Sequence, residues 1–251
     1  MKQRIFSSLG LAALAGVSLV TPALAEVSIA WVPVGNAGNA ADPSTGFGAV
    51  GYAYQIGKYE VTNNEYVEFL NAKAQTDTYS LYNMNMSSYG ITRSGSDGGY
   101  NYSVTGGLGN RPVVCVSWFD AARFTNWLGN GQGSGDTETG AYTFIGGQTS
   151  GIVTVNSGAK VYIPSENEWY KAAYYNGGTS TYSIYPNGQN TITTADANYE
   201  YSVGQSTDVG SYSSDPSSYG TFDQGGNVWE WNDDVNVFWG SGRGMGAGQK
   251  S

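Results

Sequence analysis

The stretch GTFDQGGNVWEWND, residues 220–233, holds an arrangement of acidic side chains that could bind a cation. Asp223 and Glu230 stand seven residues apart, on either side of the pair Gly225 and Gly226. Carboxylate oxygens and backbone carbonyl oxygens are the ligands that a hard cation such as calcium prefers. Spacing alone favours a glycine-rich turn whose acids face solvent, so a metal site here needs further support.

The rest of the sequence excludes several familiar catalytic arrangements. The chain has no histidine and a single cysteine, Cys115. Ser-His-Asp and Cys-His catalysis, ordinary zinc sites, histidine-ligated iron and an intrachain disulfide are therefore excluded. The apolar VVCV context predicts that Cys115 is buried and unreactive. Glu166 and Glu168 suit the start of a helix better than acid-base catalysis, and GGLGN at Gly106 lacks the lysine of a phosphate-binding loop.

The beginning of the chain has the pattern of a secretory leader. Lys2 and Arg4 precede an apolar run at residues 9–20, and a small-residue cleavage site follows at residues 23–25. We expect a leader at 1–25 and one domain at 26–251, located outside the cell, in the periplasm or at the cell surface.

Without the leader, nine basic and twenty acidic residues give a formal charge of −11. This charge argues against nucleic acid as a partner. No later segment predicts a membrane span, and we expect a monomer.

Three helices are predicted from their first residues. Each starts with Ser or Thr followed three residues later by an acidic residue, which is the pattern of a capping box. The pairs are Thr62 and Glu65, Ser117 and Asp120, and Ser165 and Glu168. Apolar residues at helical spacing follow each pair, and the predicted helices end near Ala74, Gly129 and Tyr175.

The predicted strands are short and are separated by glycine-rich stretches. Alternating or continuous apolar residues predict strands at 26–34, 52–61, 111–116, 141–145, 152–155 and 161–163. Residues 75–110 are polar and rich in tyrosine and glycine, which predicts an irregular insertion with short strands. The 37 glycines and 20 tyrosines of the chain predict a loop-rich α+β domain in which tyrosine fills much of the core.

Four segments resemble one known family in their order along the chain. They are IGKYEVTNNEYVEFLNA at 56–72, RPVVCVSWFDAARFTNWL at 111–128, IPSENEWYKAAYY at 163–175 and GTFDQGGNVWEWND at 220–233. Together they are similar to the formylglycine-generating enzyme, or sulfatase-modifying factor, family. The resemblance implies an irregular α+β domain related to C-type lectins, with twisted antiparallel strands, a few short helices and long loops. It also implies that Trp118, Trp169 and Trp229 are buried between helices and strands.

The resemblance further implies two structural calcium sites. Carried over by position, the ligands of the first are the side chains of Asp223 and Glu230 and the carbonyl oxygens of Gly226 and Val228. The second begins with the side chain of Asn198 and the carbonyl of Tyr199, for which a simple turn asparagine is the alternative.

The oxidase activity of the family depends on two cysteines that bind copper and engage the substrate cysteine. Soft thiolates suit Cu(I), and serine is a poor substitute. Cys115 lies upstream of the segment that carries the pair and matches neither member. Residues 240–251 begin to approach the Arg-Gly-Gly-Ser strand of the family and then stop. We therefore expect no catalytic residues and no copper in this chain, and a role in recognition or scaffolding.

Two alternatives stay open. The first is a calcium-dependent module at the cell surface that binds a glycan, a peptide or another exported protein through the tyrosine-rich stretches at 79–102 and 174–185. The second is an active oxidase whose catalytic segment lies outside these 251 residues.

Overall fold

The computed structural model describes residues 26–235. The predicted leader at 1–25 and the segment at 240–251 lie outside the described residues. The helices are α1 (Asn63–Lys73), α2 (Trp118–Gly129) and α3 (Glu166–Tyr174). The strands are β1 (Trp31–Val34), β2 (Tyr54–Gly57), β3 (Ile91–Ser94), β4 (Asn101–Val104), β5 (Tyr175–Asn176) and β6 (Thr181–Tyr182). None of the helices found between residues 26 and 235 has the length and apolar character needed to cross a bilayer.

The three predicted helices are confirmed, and so are their capping boxes. At each start the Ser or Thr side chain accepts from the backbone N–H three residues on, and the acidic side chain there accepts from the cap backbone. Each box satisfies two amide groups that the helix cannot pair internally. The first residue of each helix is therefore set by contacts between near neighbours in the chain.

The strands pair as three antiparallel hairpins and are shorter than predicted. β1 pairs with β2, β3 with β4 and β5 with β6. The predicted strand at 111–116 is wrong, because it is reduced to one isolated bridge between Thr62 and Pro112. Cys115 has φ of 63°, which is left-handed backbone and ends any extended run there.

The predicted strands at 141–145, 152–155 and 161–163 are also wrong. The structure has turns, bends and irregular backbone in these places. Gly146, Gly147 and Gly151 have φ of 62°, 75° and 90°, a conformation that glycine adopts without a steric cost and that breaks a strand. The apolar residues of this part still pack, since Tyr142 and Phe144 join Trp118 of α2 in one buried cluster.

The largest buried cluster lies between α1, α2 and the β3–β4 hairpin. Phe69 of α1 packs its ring 5.4 Å from Phe124 and 5.3 Å from Trp127 of α2. Tyrosines fill much of the remaining space, as predicted, and their hydroxyls reach backbone carbonyls. Tyr66 donates to Leu81 at 3.0 Å and Tyr102 donates to Ala74 at 2.7 Å.

The three tryptophans expected in the interior do not all lie there. Trp118 and Trp169 are buried, with 5% and 8% of their surfaces exposed. The prediction for Trp229 is wrong, because 68% of its surface is exposed. In this segment the side chains of Glu230 and Trp231 point into the domain instead. Glu230 accepts a hydrogen bond from Trp169, and Trp231 donates one to the Val116 carbonyl. Trp229 is left facing outward.

Candidate metal site at the 223–230 turn

The turn between Asp223 and Glu230 is shaped by Asp223 and Gly226, which the sequence indicated, and by Asn227, which it did not. The amide of Gly226 donates to the Asp223 carbonyl at 3.0 Å. Asp223 and Asn227 have φ of 63° and 59°, a left-handed conformation that Asp and Asn tolerate better than most residues. Gly226 is needed for close packing, since a Cβ there would collide with the carbonyl of Asn198.

Asp223 and Asn198, which come from the two predicted calcium sites, line the same small cavity. The Asn227 amide donates to the Asn198 carbonyl at 2.8 Å. Asp223, Gly226 and Asn198 all line one small cavity of about 20 Å³. A space of that size holds about one water molecule or one ion. Oδ2 of Asp223 accepts from the Gly210 amide at 2.6 Å.

The side chain of Asn198 is already engaged by its surroundings. Its Nδ2 donates to the Gln205 carbonyl at 2.9 Å and to Oδ1 of Asn227 at 3.3 Å. The Tyr199 carbonyl accepts from the Ser202 amide at 3.0 Å. These bonds make Asn198 a residue that ties two loops together, whatever else it binds.

Val228 and Glu230 line a second and larger cavity of about 250 Å³ with mostly apolar walls. The indole N–H of Trp169 donates to Oε2 of Glu230. Burial raises the pKa of Glu230 to about 7, with the Trp169 bond acting to lower it and the charge of Asp223 acting to raise it. The two predicted carboxylates therefore face different cavities and still influence each other electrostatically.

Glu60 is a third carboxylate at this turn, and its place there was not predicted from the sequence. Nδ2 of Asn227 donates to its Oε1 at 3.1 Å. Burial, followed by the charges of Asp223 and Glu230, raises the pKa of Glu60 well above its usual range. The sequence holds one indication of this role. Glu60 is an acidic residue between Tyr59 and Val61, within the predicted strand at 52–61.

A cleft of about 860 Å³ adjoins the turn on its exposed side. Trp229 and Cys115 line this cleft together with Tyr89 and Tyr201, whose surfaces are 52% and 95% exposed. Arg111 contributes a cationic side chain to the same wall. Of the nine tyrosines in the stretches at 79–102 and 174–185, four are buried, four are half-buried and only Tyr89 is exposed.

Residues 31–243 match the family model described as the sulfatase-modifying factor enzyme 1-like domain. The chain belongs to the sulfatase-modifying factor family. Among solved structures it is similar to one titled "Crystal Structure of CarF", at 22% identity over 86% of this chain and 84% of that chain, with a TM-score of 0.55. It is also similar to Treponema denticola variable protein 1, at 21% identity over 84% of this chain and 74% of the other, with a TM-score of 0.51. No curated protein matched the sequence.

These comparisons confirm the predicted α+β, C-type-lectin-like class of the fold. Short antiparallel hairpins and three helices placed around long loops are what a sulfatase-modifying factor domain was expected to have. The likeness to the two solved structures speaks for the fold alone.

The residues at the turn fit a hard cation only if backbone oxygens take part. Within residues 26–235, no three Asp, Glu, His or Cys side chains are arranged so that they could hold a metal ion by themselves. The family resemblance implies two carboxylates and two carbonyls as the ligands at this turn. Oxygen ligands of this kind suit calcium rather than a transition metal.

The prediction that Cys115 is buried is only partly right, because the residue is half-buried. Burial raises the pKa of its thiol, so the reactive thiolate is disfavoured. The end of the 220–233 segment is also tied to the interior of the domain. Asp233 accepts from the hydroxyl of the buried Tyr142 at 2.9 Å.

Proposed function

We propose that this protein is an exported, calcium-stabilised domain of the sulfatase-modifying factor family that acts in binding and not as a copper-dependent oxidase. The observation that carries the calcium part is the small cavity lined by Asp223, Gly226 and Asn198. An ion held there would join the turn to the loop around Asn198. These two irregular segments would otherwise depend on a few hydrogen bonds.

Each residue at such a site would have a separate role. Asp223 would supply a carboxylate from a left-handed backbone position, and Gly226 would let the turn approach the Asn198 loop. Val228 and Glu230 line the neighbouring cavity, so the carbonyl and the second carboxylate that the family resemblance implies would have to turn toward the small cavity when the ion binds. The cation itself would neutralise acids that burial makes costly to ionise.

Calorimetry on the whole exported chain tests the calcium proposal. We expect calcium to bind and to raise the melting temperature, with about 2.7 kcal/mol of added stability at a hundredfold excess over Kd. Asp223→Ala should abolish the increment. Asp97→Ala, which changes an exposed acid of the β3–β4 turn, is the matched control. Equal melting curves in calcium and in EDTA would refute the site.

The proposal that the protein does not act as an oxidase rests on the number of cysteines in the chain. The 251 residues contain Cys115 alone, and oxidation of a substrate cysteine by this family needs a copper-binding pair. We expect no formylglycine when a cysteine peptide is incubated with the protein and Cu(I) in air. Formylglycine formed by the wild-type chain would contradict this part of the proposal, and Cys115→Ser would show whether the one thiol is responsible.

A second candidate function is the binding of a carbohydrate in the exposed cleft. Its support is the grouping of three exposed aromatic side chains, those of Tyr89, Tyr201 and Trp229, around one concavity with Arg111. Aromatic faces and a few polar groups are common features of ligand pockets. A glycan array should show binding that Trp229→Ala weakens and Met84→Ala, at an exposed site outside the cleft, leaves unchanged.

Export is tested separately from binding. We expect expression in a bacterial host to yield a mature chain whose first residue is Glu26, released to the periplasm or the medium. Cytoplasmic protein that still begins with Met1 would count against the predicted leader.

A further inference from the structure

Glu60 is a buried acidic residue beside the turn, and the calcium proposal gives it no role. Its Oε1 is held by Asn227, and its Oε2 is buried with no hydrogen-bond partner among the residues of the 26–235 region. A buried carboxylate oxygen without a partner costs free energy. A positive group or a bound donor on that side of Glu60 would remove the cost.

A second buried polar group near the turn, on another element, also lacks a partner among the described residues. The hydroxyl of Tyr174, at the end of α3, also lacks a partner within the described part of the chain, although only 1% of the residue is exposed. The Tyr174 ring lies 6.2 Å from that of Trp169, whose indole N–H bonds to Glu230.

The contact between Glu60 and Asn227 links these groups to the geometry of the turn. Asn227 is the left-handed residue between Gly226 and Val228, and its Oδ1 accepts from the Thr207 amide at 2.8 Å. The Asn227 side chain therefore connects Glu60 to the backbone that carries the predicted carbonyl ligands. Movement of Glu60 would be passed to the two carbonyls.

We propose that Glu60 is a positioning residue of the calcium site that also supplies negative charge to it. Glu60 holds the turn through Asn227, and its charge adds to those of Asp223 and Glu230. The site therefore favours a cation of high charge, calcium or a trivalent lanthanide, over a monovalent one. This role of Glu60 rests on the calcium site proposed above.

The test uses Glu60→Gln in the full exported chain. Glutamine keeps an acceptor for Asn227 and removes only the charge. Glu68→Gln makes the same chemical change on a half-exposed residue of α1 and serves as the control. We expect the calcium affinity from calorimetry to fall by about tenfold or more in Glu60→Gln, because a buried negative charge near the ion attracts it strongly. Glu68→Gln should bind as the wild type does.

Terbium gives a second readout. Its luminescence, excited through tryptophan, should report the site because Trp169 bonds directly to Glu230. The terbium affinity should fall in Glu60→Gln by a larger factor than the calcium affinity, since the ion carries one more charge. An equal or smaller fall would argue against a contribution of charge.

Melting curves separate this role from a purely structural one. In EDTA, Glu60→Gln should melt at the same temperature as the wild type or higher, because glutamine replaces a carboxyl that the interior disfavours in its charged form. In calcium its gain in melting temperature should be smaller than that of the wild type. A variant that loses stability equally in both buffers would show that Glu60 is only an anchor for Asn227. Wild-type protein that binds neither ion would instead overturn the calcium site itself, and unchanged affinities in Glu60→Gln would overturn the role of Glu60 alone.

Discussion

Helices α1 and α2 and the turn at 223–230 are held in place by different forces. The helices bury aromatic side chains against one another, and Phe69, Phe124 and Trp127 are each at most 4% exposed. The turn buries acids and amides, and it is kept in shape by hydrogen bonds between loops. The first arrangement depends on apolar area removed from water, and the second depends on whether polar groups are satisfied.

The backbone shows the same contrast. Residues 63–73 and 118–129 have regular helical hydrogen bonds. Around the turn, by contrast, Glu200, Tyr201, Asp223 and Asn227 are non-glycine residues with positive φ. Left-handed backbone is unfavourable for such residues and persists where the surroundings enforce it. We therefore expect the helical core to be insensitive to calcium and the turn to depend on it.

The largest effect is expected in the helical core. Phe69→Ala would leave a cavity beside Phe124 and Trp127 and should lower the free energy of unfolding by about 3–5 kcal/mol. The loss, measured by urea denaturation, should be the same in calcium and in EDTA, because the core does not include the turn. A loss that differs between the two buffers would show that the core and the turn unfold as one coupled unit.

A smaller effect is expected at the turn. In Gly226→Ala the new methyl group would meet the Asn198 carbonyl, and overpacking of this kind costs about 1–3 kcal/mol. Gly106→Ala is the matched control, since no atom lies within 4 Å of a Cβ built there. Calcium affinity should fall in Gly226→Ala and stay constant in Gly106→Ala. Normal affinity in both variants would separate the close packing of the turn from ion binding.

The helices could be predicted from the sequence better than the turn could. The helix starts were predictable because a cap is a local contact between residues three apart, as in Ser117 and Asp120. The strands at 141–163 were not, because glycine conformations and packing against Trp118 decide that backbone. Within the candidate metal site, Asp223 could be predicted from the sequence because it lies beside a glycine-rich turn. Glu60 could not, since it lies 167 residues from its partner Asn227.

The smallest effect is expected at the start of α2, where a purely local interaction can be removed cleanly. The Ser117 side chain is exposed, and it accepts from the Asp120 amide at 3.2 Å. Ser117→Ala should lower the free energy of unfolding by about 1 kcal/mol, the usual cost of a lost cap, and Ser117→Thr should restore most of it. Because the cap contacts neither the turn nor its acids, calcium affinity measured by calorimetry should be unchanged in both variants. A weaker affinity in Ser117→Ala alone would mean that α2 transmits strain to the turn, through the bond from Trp118 Nε1 to the Asn232 carbonyl at 3.2 Å.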